Sequence, residues 1–201
     1  MGKKGLLTGV VIGFVLIGIW LGLRFSETSP VPAQYPDLIG DFVLSDANGN
    51  PVRLSDYRGQ VALLYFGYTH CPDVCIAALS KIARALNHLS AEQRAEVQPF
   101  FISLDPERDT PEKLAAYARG FHPQITSLTG TTEQVNQVAK TFFIAHHKVP
   151  GQNDVAYDLD HSSVTYVLSR AGGVHRLVHQ PESAEDLATY IRQALTGSPD
   201  R

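Results

Sequence analysis

Residues 61–75 read VALLYFGYTHCPDVC, and the fold follows from how this stretch changes character along its length. Val61 to Phe66 is an unbroken apolar run of strand length, the pattern of a strand buried on both faces. From Val74 to Leu89 the period changes, with Ala78, Ile82, Ala85 and Leu89 spaced for one face of a helix. A central strand therefore turns into a helix, and the turn carries Cys71 and Cys75, the 2 cysteines of the chain. Unpaired N–H groups and the dipole at a helix N-terminus favour a thiolate, which predicts a lowered pKa for Cys71 above all. Pro72 suits a first helical turn, and the four-residue step predicts both sulfurs on one face, within reach of a disulfide or a shared metal ion. Free cysteines often fill cores as small hydrophobes, but a pair on one helix face at a strand end is a poor arrangement for that purpose. Two thiolates are soft ligands that favour copper(I) or zinc over magnesium or calcium.

The same alternation extends on both sides. Asp41 to Asp46 and Pro51 to Leu54 flank Asn48-Gly49-Asn50, a turn signal that predicts a β-hairpin. Downstream come a strand at 97–104, a helix at 111–119 started by Thr110 and Pro111, and a strand at 125–128. Thr131 and Gln134 have the spacing of a capping box before another helix. Between His146 and His161 periodicity fails, and the length of the gap predicts a functional loop or an inserted hairpin. Residues 163–168 and 174–179 form a second hairpin around Ala171-Gly172-Gly173, and Ser183 caps a last helix to Leu195. The string β-β-β-α-β-α-β-α-β-β-α predicts an α/β sandwich with a mixed central sheet.

A metal site at Cys71 and Cys75 needs a third ligand, and the chain offers 8 histidines. His161 is the first candidate, because it ends the irregular segment just before a strand, an edge that can face the cysteine turn. Asp160 or the Ser162 hydroxyl is expected to orient its ring, with Asp73 as a supporting group between the cysteines. His146 and His147 are second choices that read more simply as a solvated pair. His70 adjoins Cys71 but points away, and His88, His122, His175 and His179 read as surface or core residues. The charged run Asp105-Pro106-Glu107-Arg108-Asp109-Thr110 reads as a solvated turn capping the next helix, with partner docking as the alternative.

The chain has 201 residues, 44% hydrophobic and 18% charged, enough for one globular domain and unlike collagen, coiled coil or a disordered chain. A formal charge of −3 with no basic cluster excludes a nucleic-acid binder. Residues 6–23 carry no charged side chain, about 27 Å as a helix, which predicts a single transmembrane anchor over 1–25. A cleaved signal peptide is the alternative, but its apolar region is usually about 7–15 residues and ends in small residues. Lys3 and Lys4 before the run, against Arg24 after it, predict a cytoplasmic N-terminus with the rest exported. The exported part holds 14 basic against 20 acidic residues. Pro30, Pro32 and Pro36 make 26–36 a stiff linker, 37–196 is the folded domain, and 197–201 is a tail.

Four separated blocks, YFGYTHCPDVC at 65–75, SLDPERDTP at 103–111, LTG at 128–130 and Asp160-His161-Ser162, closely resemble the Sco/SenC family of thioredoxin-like copper proteins over residues 35–196. The resemblance implies a thioredoxin-like domain that binds one copper ion, Cu(I) or Cu(II), through Cys71, Cys75 and His161. It implies a metallochaperone role with cytochrome c oxidase subunit II, or another copper oxidase subunit, as the partner whose CuA centre is assembled, and an upstream copper donor. The domain would face the bacterial periplasm or the mitochondrial intermembrane space. Where the family commonly has proline after the second cysteine, this chain has Ile76. The rival reading is a thiol-disulfide oxidoreductase with Cys71 and Cys75 as its redox pair. Such enzymes use Cys-x-x-Cys opposite a cis-proline; here three residues intervene, and no proline lies between Gly151 and His179.

Overall fold

The computed structural model describes residues 40–151, 156–180 and 182–197. The expected anchor at 1–25, the linker at 26–36 and all of the tail but Gly197 lie outside them. Among the described residues no helix is long and apolar enough to cross a membrane.

Nine strands and five α-helices are described: β1 (Val43–Ser45), β2 (Pro51–Arg53), β3 (Val61–Gly67), α1 (Val74–Asn87), α2 (Ala91–Ala95), β4 (Val97–Ser103), α3 (Pro111–Phe121), β5 (Thr126–Leu128), α4 (Thr132–Thr141), β6 (His146–Pro150), β7 (Tyr157–His161), β8 (Thr165–Leu168), β9 (Val174–Val178) and α5 (Ala184–Thr196). The central sheet has the order β5-β4-β3-β8-β9. Strands β3, β4 and β5 run parallel, whereas β8 is antiparallel to β3 and to β9, so the sheet is mixed as the sequence predicts. Strand β3 is buried at every position, which is why its sequence is continuously apolar rather than alternating.

Successive β3 residues point to opposite faces. On one face Tyr65 stacks on Phe101, which meets Tyr117 of α3, and Cys75 of α1 lies behind them. On the other Phe66 packs against Phe142 and Tyr166, and Phe42 closes on Phe142. Full burial of side chains of this size contributes about 1.5–3 kcal/mol each.

Ser90, Thr131 and Ser183 each complete a capping box, and Thr110 caps α3 with Pro111 in its first turn. The predicted 146–161 irregularity resolves into the inserted hairpin: β6 and β7 pair with each other in a two-stranded sheet of their own, His146 opposite His161. Its short strands show no clean alternation because neither face is fully buried, which removes the period-2 signal. Helix α2 and a 3-10 turn at Leu54–Tyr57, which takes the last residue of the expected strand 51–54, were not expected; each is too short for a periodic pattern.

Candidate metal centre

Strand β3 ends at Gly67, and the chain turns through residues 68–73 before α1 begins. A Cβ on Gly67 would meet the Cys75 sulfur at 2.6 Å and ring atoms of Phe101 and Tyr65 at 3.1 Å. Only glycine lets the strand pass this closely to the buried thiol. Cys75 is 0% exposed and Cys71 5%, and both are free thiols.

The sequence predicts a helix from Val74 with Cys71 at its N-terminal approach, and the structure starts α1 at Val74, with Asp73 in the cap position, so Cys71 precedes the helix. Asp73 makes no side-chain cap hydrogen bond, and its carboxylate is exposed. The Cys71 sulfur takes over that role by accepting the Cys75 N–H at 3.4 Å. The helix terminus therefore acts on Cys71 through a direct contact. The Cys71 thiol is lowered to about 4, first by the hydrogen bond from the Cys75 thiol, then by His161 and by the N–H groups of Asp73 and Cys75, against the opposing effect of burial. The Cys75 thiol is pushed up by that same hydrogen bond, by burial and by the charge on Cys71. Two sulfurs thus share one proton through the neutral range, a thiolate beside a thiol.

Behind Cys75 stands Tyr65, which the sequence shows only as part of the apolar run of β3. Its hydroxyl lies 3.8 Å from the Cys75 sulfur, 3.4 Å from the Val74 carbonyl and 3.2 Å from the Ser163 hydroxyl. Burial above all raises the Tyr65 pKa, so the hydroxyl stays protonated and able to donate. Gln180 donates to Ser163 at 3.0 Å and to the Val74 carbonyl at 3.3 Å, tying this corner to the chain after β9. Neither Ser163 nor Gln180 carries a sequence signal of its own.

His161 closes the site from the end of β7. Its Nε2 lies 3.6 Å from the Cys75 sulfur, and its Nδ1 lies 3.0 Å from the Ser162 carbonyl oxygen. A carbonyl only accepts, so Nδ1 carries a hydrogen and Nε2 is the ring nitrogen that faces the sulfurs, donating to the Cys71 thiolate when it holds a proton and offering its lone pair to a metal when it does not. Among the described residues, Cys71, Cys75 and His161 form the one group of three or more potential ligands whose atoms all lie within 4.8 Å of one another. The orienting group differs from the expected ones. Asp160 points outward at 70% side-chain exposure and meets His147 at 3.8 Å. Ser162 acts through its carbonyl, while its hydroxyl accepts the Ala145 N–H at 3.1 Å. A strand turns adjacent side chains to opposite faces, which sends Asp160 away from the ring it precedes.

The other histidines stay apart from the trio. His146 bonds Asn136 at 3.0 Å across the surface, and His70 is exposed beside Thr69 and Asp109. The 105–110 run is not the solvated turn expected from its charge, since Asp105 and Asp109 are 2% and 1% exposed. Asp109 accepts from the Thr69 N–H at 3.1 Å, the Thr69 hydroxyl at 2.5 Å and the Ser103 hydroxyl at 2.8 Å, bracing the turn that delivers Cys71.

The SCO1/SenC family model matches residues 31–196. The chain belongs to that family. A curated Sco relative, the mitochondrial SCO2 homolog of Bos taurus, is 37% identical over 201 residues, covering 96% of this chain and 76% of its own. The copper-bound ScoI of Bradyrhizobium japonicum superposes with a TM-score of 0.71 at 33% identity, covering 78% of this chain and 98% of that one. BsSco, described as having a disulfide switch and as a member of the Sco family of cytochrome c oxidase assembly proteins, gives 0.64 at 26% identity over 82% of this chain and 96% of its own. The Sco fold here is the thioredoxin-like α/β fold with a mixed sheet. Ile76 is 44% exposed in the first turn of α1 and is not one of the three donors.

Proposed function

We propose that this chain is a membrane-anchored copper metallochaperone that holds one copper ion on Cys71, Cys75 and His161 and helps assemble the CuA centre of cytochrome c oxidase subunit II. The observation that carries the reading is the convergence of two sulfurs and one imidazole nitrogen within 4.8 Å. Soft thiolates with one imidazole suit copper(I), and the same set accepts copper(II). Copper is the cargo. The chain's own part is to keep a thiolate ready at Cys71, to hold the Nε2 lone pair toward the sulfurs, and to bury the pair against competing ligands. Copper-bound Sco relatives and the assembly role stated for BsSco support the proposal. In this reading residues 1–25 anchor the chain, 26–36 space it from the bilayer, and 37–196 present copper in the periplasm or intermembrane space, supplied by an upstream donor.

A thiol-disulfide role for the same pair is favoured by one observation, the lowered pKa of Cys71 beside a protonated Cys75. A thiolate of that kind attacks disulfides, and its neighbour resolves the mixed disulfide. The two roles are coupled, because thiolates bind metal only when reduced.

An anaerobic copper(I) titration of the full chain against a competing chelator tests the proposal, wild type beside His161→Ala. One tightly held copper per chain, weakened at least about 10-fold by His161→Ala, is the expected result. Equal affinities remove His161 from the ligand set. Weak binding in both, with rapid thiol-disulfide exchange, makes the reductase role primary.

A further inference from the structure

His161 belongs to β7, and the β6–β7 hairpin is not a member of the central sheet. A lone two-stranded hairpin is marginally stable in water, so its placement depends on what grips it. At the His161 end, Ser162 N–H donates to the Ala145 carbonyl at 2.9 Å. In the middle, the Leu159 N–H donates to the Tyr68 hydroxyl at 3.2 Å, and the Tyr68 ring meets the His161 ring edge to face at 5.8 Å.

At the far end the grip centres on Arg108, with the more exposed Lys148–Glu107 pair at 2.7 Å beside it and Lys148 Nζ 4.3 Å from the Tyr157 ring centroid. Arg108 donates from Nε to Asp105 at 2.5 Å and from Nη1 to the Tyr157 backbone carbonyl at 2.7 Å. Its guanidinium carbon lies 3.6 Å from the Tyr157 ring centroid and 5.8 Å from that of Tyr68. The Tyr157 hydroxyl returns a hydrogen bond to Asp105 at 2.7 Å, closing the ring of contacts. Arg108 is only 18% exposed, and its Nη2 is buried without a hydrogen-bond partner, so a largely desolvated cation has been kept here. A buried guanidinium of this kind stays where its planar fork and faces are used together. Arg108 thereby touches both surfaces that bear on the imidazole: the strand that carries it and the tyrosine ring that abuts it.

We propose that Arg108 is a positioning residue for His161, clamping the start of β7 and the Tyr68 ring so that the imidazole is presented to the cysteine pair. The inference rests on the three-ligand reading above and assigns the 105–110 loop a second task. Asp109 braces the cysteine turn, and in the same loop the Asp105–Arg108 pair braces the histidine hairpin, so one short segment sets the distance between the two halves of the site.

The test is a double-mutant cycle on the full chain, with copper(I) affinity by chelator competition for wild type, Arg108→Gln, His161→Ala and the double variant. Nitrogen coupling in the electron paramagnetic resonance spectrum of the copper(II) forms is the second readout. Arg108→Gln is expected to weaken copper by about 10- to 100-fold, the scale for groups that orient a ligand, with loss of the imidazole nitrogen signature. In the His161→Ala background the same change should have no further effect, since there is no ring left to position. A loss of equal size in both backgrounds overturns the proposal, because it would mean that Arg108 supports the cysteines or the fold at large. No loss in either overturns it as well. Where His161→Ala alone matches wild type, the ligand assignment fails and takes this inference with it. Should Arg108→Gln not fold, Arg108→Lys, which retains the charge without the fork, carries the same cycle.

Discussion

Cys75 has none of its surface exposed and is enclosed by Gly67, Tyr65 and Phe101, all on the central sheet, whereas His161 is half-buried on a hairpin outside that sheet. The cysteine half is made by neighbours in sequence: a strand, a six-residue turn and a helix deliver both sulfurs within one continuous stretch. The histidine half is made by distance, with Tyr68, Asp105 and Arg108 holding a segment that lies 49 to 91 residues further along the chain. A soft metal that must be taken up and passed on fits such a division, with two sulfurs in a rigid bed and a third ligand on a separately held element.

The largest effect expected from breaking the comparison is on the cysteine side. Cys71→Ser or Cys75→Ser should abolish stable copper(I) binding in the chelator competition, while His161→Ala leaves measurable affinity, because the hard serine hydroxyl replaces one of two soft donors. Retention of tight binding by Cys75→Ser would remove the asymmetry between the halves. Next in size is the apo fold itself. Gly67→Ala places a methyl 2.6 Å from the Cys75 sulfur and should cost about 1–3 kcal/mol in denaturant unfolding, the range for overpacked cores. His161→Ala should cost less in the same measurement, about 0.5–1.5 kcal/mol for the lost edge-to-face contact with Tyr68.

The same division explains what could be read from the sequence. The strand-to-helix junction was legible because burial on both faces gives an unbroken apolar run and the helix gives a clean period, both local signals. Cys71, Cys75 and His161 were legible as chemistry, and the resemblance named them together. The bracing was not. Asp105, Asp109 and Arg108 carry the composition of a solvated turn, and only tertiary contacts show that two of the carboxylates are buried. Asp160 misled for the opposite reason: adjacency along a strand puts a side chain on the wrong face, and the true partner of the ring is a backbone carbonyl, which no residue type announces. Tyr65 looked like core because it is core, with one polar atom placed at the sulfur.

A pH profile isolates the cysteine half without touching its shape. Cys71 is lowered from an ordinary value of 9.0 to about 4, chiefly by the Cys75 hydrogen bond. Between those limits the unfolded chain binds a proton at Cys71 that the folded protein has lost, so apo stability rises with pH across the window. This contribution is complete above about pH 9 and is lost as pH falls toward about 4. One proton sets the ceiling on the slope at about 1.4 kcal/mol per pH unit. Above the ordinary thiol range the sign reverses, because Cys75 keeps its proton in the fold while the unfolded chain releases it. Denaturant unfolding of the reduced apo chain from pH 5 to 8 should therefore show a positive slope that flattens in Cys71→Ser, with ultraviolet thiolate absorbance reporting a single ionised sulfur throughout. A slope unchanged by Cys71→Ser would assign the early ionisation elsewhere. The histidine half supplies the control: the hydrogen bond from Cys75 is the larger cause and His161 a lesser one, so His161→Ala should leave most of the slope in place.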